Sequence, residues 1–228
     1  MLAKEILFGM TDDHIRTWAP SQCGVHQQLL DPLTQLQHSA AEAGFALRVA
    51  SGFRSYQRQL AIWNAKASGA RPVLDSDGKP LVLAQLSARQ QVFAILRWSA
   101  LPGGSRHHWG TDIDVFDANG FTDAEQLQLM PQEYDGDGPC AGLSAWLDAA
   151  IASGAAGGFV RPYAVDRGGV APEPWHLSYA PVANLFQQQL RVEALYALVE
   201  ASDLLLKEAV LANLDDIYER FIALPPAA

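Results

Sequence analysis

The sequence predicts an α+β chain, and three observations carry that reading. Apolar residues recur at helical spacing in several blocks, short alternating stretches separate them, and the last 46 residues shift toward Leu, Ala, Gln and Glu. A chain of 228 residues holds one domain with a helical appendage, assigned as 1–182 and 183–228. That length buries a core without help from disulfides.

Leu29, Leu30, Leu33, Leu36 and Ala40 place a helix from His26 to Ala43, and Gly44 suits its C-terminal cap. Phe45 to Ala50 reads as a short strand. Ser55 caps a helix running through Trp63 to Ala67. Residues 69–85 carry an Asp-Ser-Asp-Gly turn and read as a loop or hairpin. Ser87 and Gln90 form a capping box ahead of Val92, Ile95 and Leu96, and Pro102-Gly103-Gly104 ends that helix.

Residues 111–116 alternate. Thr111, Ile113 and Val115 share one face, while Asp112, Asp114 and Phe116 share the other, which predicts a half-buried strand with carboxylates on its open side. Thr122 and Glu125 make a second capping box before Pro131. Leu143 to Ser153 reads as a helix with Trp146, Leu147 and Ile151 turned inward. Phe159–Tyr163 and Trp175–Tyr179 read as strands around a turn at Gly168-Gly169. Leu214, Ile217, Tyr218 and Phe221 mark an amphipathic stripe, so 183–223 is expected to form two helices packed on the body.

Composition excludes several classes. Asp and Glu number 25 against 16 Lys and Arg, a net charge of −9 with no basic cluster, which argues against a nucleic-acid partner. Cys23 and Cys140 make neither a disulfide framework nor a cysteine-type zinc site. The opening MLAKEILFGMTDDH has no signal-peptide apolar run, and no stretch approaches the roughly 18 apolar residues of a membrane span. The expected location is cytoplasmic, or periplasmic if a leader is removed.

Three segments carry chemistry: SGFRSYQRQ at 51–59, SRHHWGTDIDVF at 105–116 and EPWHLSY at 173–179. His107 precedes the carboxylate-bearing strand, Asp114 lies on it, and Gly110 permits the turn that brings the two together. His176 is the candidate third ligand. Two imidazoles and one carboxylate suit Zn²⁺ with a fourth position open to water. Glu173, three residues before His176, is placed to move that water's proton. Arg54 is placed to grip a carboxylate with a two-pronged ion pair. His14, His26, His38 and His108 are read as surface or packing residues.

The Ser-x-His-x-x-Gly-x-x-x-Asp spacing, the upstream Ser-Gly-Phe-Arg-Ser-Tyr and the downstream Glu-x-Trp-His occur in a fixed order. Over roughly residues 25–180 this chain resembles the VanY-type D-alanyl-D-alanine carboxypeptidases. They are zinc metallopeptidases grouped with lysostaphin-type endopeptidases and the hedgehog signalling domain. The resemblance implies a small antiparallel sheet flanked by helices, one zinc ion held by His107, Asp114 and His176, and Glu173 as general base. It further implies that Arg54, with Gln59 and Ser105, binds the terminal carboxylate of a peptidoglycan stem peptide or muropeptide. The implied activity is removal of a C-terminal D-amino acid, with three alternatives: L,D-carboxypeptidase, endopeptidase, and a catalytically silent zinc-binding domain. One position departs from the family. Where Ala is common two residues before the ligand Asp, this chain has Asp112, readable as a support for the ligands, a substrate-amine contact or an alternative ligand.

Overall fold

The computed structural model describes residues 3–76, 78–123 and 126–223. Its centre is a four-stranded antiparallel sheet of β3 (Leu47–Ser51), β4 (Asp112–Asp117), β5 (Phe159–Val160) and β6 (His176–Tyr179), in the order β3-β4-β6-β5. A separate hairpin precedes it, β1 (Ile15–Trp18) with β2 (Cys23–His26). The chain is therefore α+β, built on small antiparallel sheets.

Alternation divides the central sheet chemically. Leu47, Val49, Ile113, Val115 and Leu177 pack with Leu33, Leu36 and Ala40 of α2 (Leu30–Glu42) and Leu143 and Leu147 of α5 (Ala141–Ala152). Each such buried Leu, Ile or Val side chain contributes roughly 1.5–3 kcal/mol of transfer free energy. The other face carries Asp112, Asp114, His176 and Ser178. All six residues of β4 are buried, so the half-buried strand expected from the sequence is corrected. Its polar face is covered too, because other polar groups close over the carboxylates.

The capping boxes fare differently. Ser87 caps α4 (Ala88–Leu96) reciprocally with Gln90, as its spacing predicts, and Ser55 caps α3 (Tyr56–Ala67) through Arg58 N–H. The box read at Thr122 and Glu125 falls partly on Ala124 and Glu125, outside the described residues. Strand β5 is only two residues long, because the chain turns away after Val160 instead of continuing to Tyr163.

Before α2, the short helix α1 (Lys4–Leu7) sets Leu7 and Phe8 into a second core. That core holds Trp63 of α3, Val92, Ile95 and Leu96 of α4, and the apolar side of the C-terminal helices. Those helices are α6 (Ala180–Gln187), α7 (Val192–Glu200), α8 (Lys207–Leu211) and α9 (Leu214–Ile217), with a π turn over Tyr218–Ile222. Four short helices thus replace the two expected. The boundary read at 182/183 falls inside α6. No helix among the described residues is long and apolar enough to cross a membrane.

Candidate active site

The sheet register puts the predicted groups together. Asp114 pairs with His176 across β4 and β6, and with Ser51 across β4 and β3. His107 comes from a 3₁₀ turn, Arg106–Trp109, which Gly110 closes in the left-handed region at φ +68°. A Cβ at Gly110 would lie 2.4 Å from Ile15 Cδ1 and 2.8 Å from His26 N, so the turn needs glycine twice over. The hairpin seats directly on it, with His26 N–H donating to Gly110 C=O at 2.8 Å.

His107, Asp114 and His176 are buried, and each offers a ligand atom within 4.8 Å of the others. Asp114 Oδ2 is 3.4 Å from His107 Nε2, and Asp114 Oδ1 is 3.4 Å from His176 Nδ1. The remaining ring nitrogens face acceptors. His107 Nδ1–H donates to Gly52 C=O at 2.9 Å and His176 Nε2–H donates to Asp112 Oδ1 at 3.0 Å. In the neutral tautomers these bonds favour, both inward nitrogens turn lone pairs toward one point, where a cation would take the place of a proton on His176. Asp114 Oδ1 is buried with no hydrogen-bond partner among the described residues, a costly condition that a cation would relieve. This donor set fits Zn²⁺.

Glu173 stands beside the trio, its Oε2 3.3 Å from His176 Nδ1. It sits on the turn into β6, with its N–H donating to Tyr163 C=O. Electrostatics reflect the crowding of carboxylates. Burial alone would lower the His176 pKa, but Asp112, Asp114 and Glu173 outweigh it and hold it well above the usual value. Burial likewise would raise Asp114, yet His107 and His176 keep it well below the ordinary carboxylate range. The pocket favours positive charge.

Arg54 follows β3 and reaches the same cavity, with Nη2 4.0 Å from Asp114 Oδ2 and a quarter of its side chain exposed. A bulge between Val49 and Ser51 turns Ser51 onto the polar face, where its hydroxyl accepts from Arg54 Nη2 at 3.0 Å. Gln59 does not reach the cavity. It is fully buried behind Arg54, its Oε1 accepting from Arg54 Nη1 at 3.1 Å and its Nε2 donating to Ala100 C=O at 2.8 Å. Ser105 does line the cavity, which measures about 270 Å³ and is walled further by Trp98, Leu129, Tyr163 and Trp175.

Three features lay beyond the sequence reading: the Ser51 bulge, the buried network around Asp112, and Tyr163, while three of the histidines read as surface or packing residues are packing ones. Tyr163 sets its ring edge-on to His176 at 4.8 Å, and burial pushes its phenol up to about 12, so it stays a donor at neutral pH. Its only sequence signal was a place at the end of an expected strand. His14 and His26 are buried with rings 5.5 Å apart. His108 is a strut, its Nδ1–H donating to Arg54 C=O while its Nε2 accepts from Gly103 N–H at 3.0 Å.

The chain shares sequence and fold with known proteins. The family model described as VanY, D-alanyl-D-alanine carboxypeptidase, matches residues 22–182. A D-alanyl-D-alanine carboxypeptidase of Enterococcus faecalis is 28% identical over 171 residues, covering 72% of this chain and 53% of that protein. An uncharacterised Haemophilus influenzae protein is 43% identical over 103 residues, 44% of this chain and 70% of its own length. Among solved structures, VanYB in complex with D-alanine-D-alanine superposes with a TM-score of 0.50 at 22% identity, covering 80% of this chain and 87% of that one. The LdcB LD-carboxypeptidase superposes at 0.51 and 19% identity, covering 86% and 77%. Fold and sequence together define a peptidase of the cell-wall carboxypeptidase class. The chain belongs to the VanY family of D-alanyl-D-alanine carboxypeptidases.

Proposed function

We propose that this chain is a zinc-dependent carboxypeptidase that hydrolyses the peptide bond before a C-terminal D-alanine of peptidoglycan stem peptides or muropeptides. The observation that carries this reading is the convergence of three buried donors, one carboxylate outside the donor set and one guanidinium on a single cavity. His107 Nε2, Asp114 and His176 Nδ1 would hold the metal. A zinc ion bound there supplies Lewis acidity, lowering the pKa of water from 15.7 toward about 7 and polarising a carbonyl.

The protein's own groups do the rest. Arg54, stiffened by Gln59 and Ser51, grips the terminal carboxylate and sets the scissile bond at the donor cluster. Glu173 accepts a proton from the attacking water and returns it to the departing amine. One C–O bond forms, one C–N bond breaks, and the proton passes from water oxygen to nitrogen. Gripping the terminus makes this an exopeptidase, because an internal peptide bond brings no carboxylate to pair with the guanidinium.

The test is incubation of the zinc-loaded chain with defined tripeptide, tetrapeptide and pentapeptide stems, with released products identified by mass. Pentapeptide losing one D-alanine is the expected result. Loss of the fourth residue from a tetrapeptide would assign L,D-carboxypeptidase activity instead, and cleavage inside the stem would make it an endopeptidase. Zinc binding without any cleavage would leave a silent binding domain.

A further inference from the structure

Asp112 is a fully buried carboxylate on the polar face of β4, and the structure surrounds it with donors. It lies two residues before Asp114 on β4, so both carboxylates project from one face, and the antiparallel register sets Ser178 opposite it and His176 on the diagonal. Its side chain is fully buried. Oδ1 accepts from Arg106 Nε at 2.7 Å and from His176 Nε2 at 3.0 Å. Oδ2 accepts from the Thr111 hydroxyl at 2.7 Å and the Ser178 hydroxyl at 3.2 Å. Four donors saturate the carboxylate, so it has no lone pair to offer a metal or a substrate amine.

The network continues outward. Arg106 donates through Nη2 to Ser178 at 2.7 Å and through Nη1 to Gln187 Oε1 of α6 at 2.9 Å, and its guanidinium lies 4.8 Å from the Trp109 ring. Arg106 is thereby fixed from three sides, and it fixes Asp112.

We propose that Asp112 is a positioning residue for the metal ligand His176, locked in place by Arg106 and, through Gln187, by the C-terminal helices. The physical reason lies in the imidazole ring. A half-turn about its outer torsion exchanges Nδ1 for a ring carbon, which binds nothing. A carboxylate on Nε2–H makes the productive orientation the stable one and raises the basicity of the opposite nitrogen. The inference rests on the zinc reading above. The rival explanation is that Asp112 merely neutralises buried Arg106.

The two are separated in a background where Arg106 no longer needs a counter-ion. Zinc affinity of the full chain is measured by chelator competition, and ligand geometry by the visible spectrum of the Co²⁺-substituted protein. Adding Asp112→Ala to Arg106→Met is expected to weaken zinc binding by roughly 10–100-fold and to alter the cobalt spectrum. Equal affinity and an unchanged spectrum in the single and double variants would overturn the proposal. Should the double variant not fold, Asp112→Asn keeps the shape and loses the charge. It is expected to bind zinc about tenfold more weakly, and parental affinity would overturn the proposal. If the parent itself binds no zinc, the zinc reading falls; if parent and variants bind alike, only the positioning role falls.

Discussion

The backbone N–H of Arg54 donates to the carbonyl of His107 at 3.0 Å, so the arm that would hold the substrate's end is fastened directly to the turn that carries a proposed metal ligand. The bond is reinforced by His108, which returns a hydrogen bond from its ring to the Arg54 carbonyl at 2.6 Å. The proposed recognition and chemistry would thus share one piece of chain, with the distance between them set by main-chain geometry.

Removing the Arg54 guanidinium should therefore impair capture of the terminus and leave the metal trio in place. Arg54→Ala is expected to lower kcat/KM for a carboxylate-terminated stem by roughly 10–100-fold, mainly through KM, the equivalent of one charged hydrogen-bonding group. Arg54→Lys should recover little, because an ammonium cannot reproduce the two-pronged contact. Steady-state kinetics with free and amidated termini check this: an unchanged KM in the alanine variant would remove Arg54 from the clamp.

Glu173 touches His176 but stands outside the trio, which separates its two conceivable duties. Glu173→Gln should keep zinc stoichiometry at the parental level while turnover falls by roughly 10²–10⁴-fold. Metal analysis beside single-turnover assays distinguishes the cases, since a parallel loss of zinc would make Glu173 a ligand.

Substitution of Gly110 tests the turn that presents His107. The positive φ and the 2.4 Å approach to Ile15 leave no room for a methyl group. Gly110→Ala should cost more than about 1 kcal/mol and lower Tm by at least about 2–4 °C in a chain of this size. Zinc affinity should fall with it. Thermal melts and chelator competition on the same sample read both, and parental values for the two would mean the turn tolerates a side chain.

His26 supplies a pH dependence. Burial, and then the neighbouring His14, depress its pKa from 6.5 to about 4. The folded state binds this proton less readily than the unfolded state, so stability is intact above about pH 6.5 and declines as pH falls toward 4, by about 3 kcal/mol for this group. His26→Asn keeps an acceptor for the Gln28 N–H that His26 Nδ1 now serves at 3.2 Å. Its Tm should fall less steeply over that interval than the parent's. Identical slopes would clear His26 of the effect.

What the sequence made legible was local. His107, Gly110 and Asp114 fall within eight residues, where backbone periodicity fixes which side chains share a face. Glu173 and His176 are similarly close, and Ser55 and Ser87 announce their helices through contacts three residues long. Features made by distant partners were not legible. Asp112 meets Ser178 and His176 only after β4 and β6 pair, so alternation alone predicted an open carboxylate face where the structure has a closed one. Gln59 was expected in the cavity, but its burial behind Arg54 depends on a contact with the Ala100 carbonyl, 41 residues away. The β1–β2 hairpin escaped notice because its strands are short and turn at Gln22, a non-glycine residue at φ 52°. The break before α8 hides in the same way at Leu206, φ 62°.

The split character of the central sheet has one more consequence. Sliding β4 by a single residue against β6 would drive two carboxylates into the leucine layer beneath and lift Ile113 and Val115 into the polar cavity. Such a misaligned chain would lose several aliphatic contacts and strand two ionised groups in oil. The residues proposed to do the chemistry thereby also act as the alignment marks by which the strands reject a pairing one residue out of step.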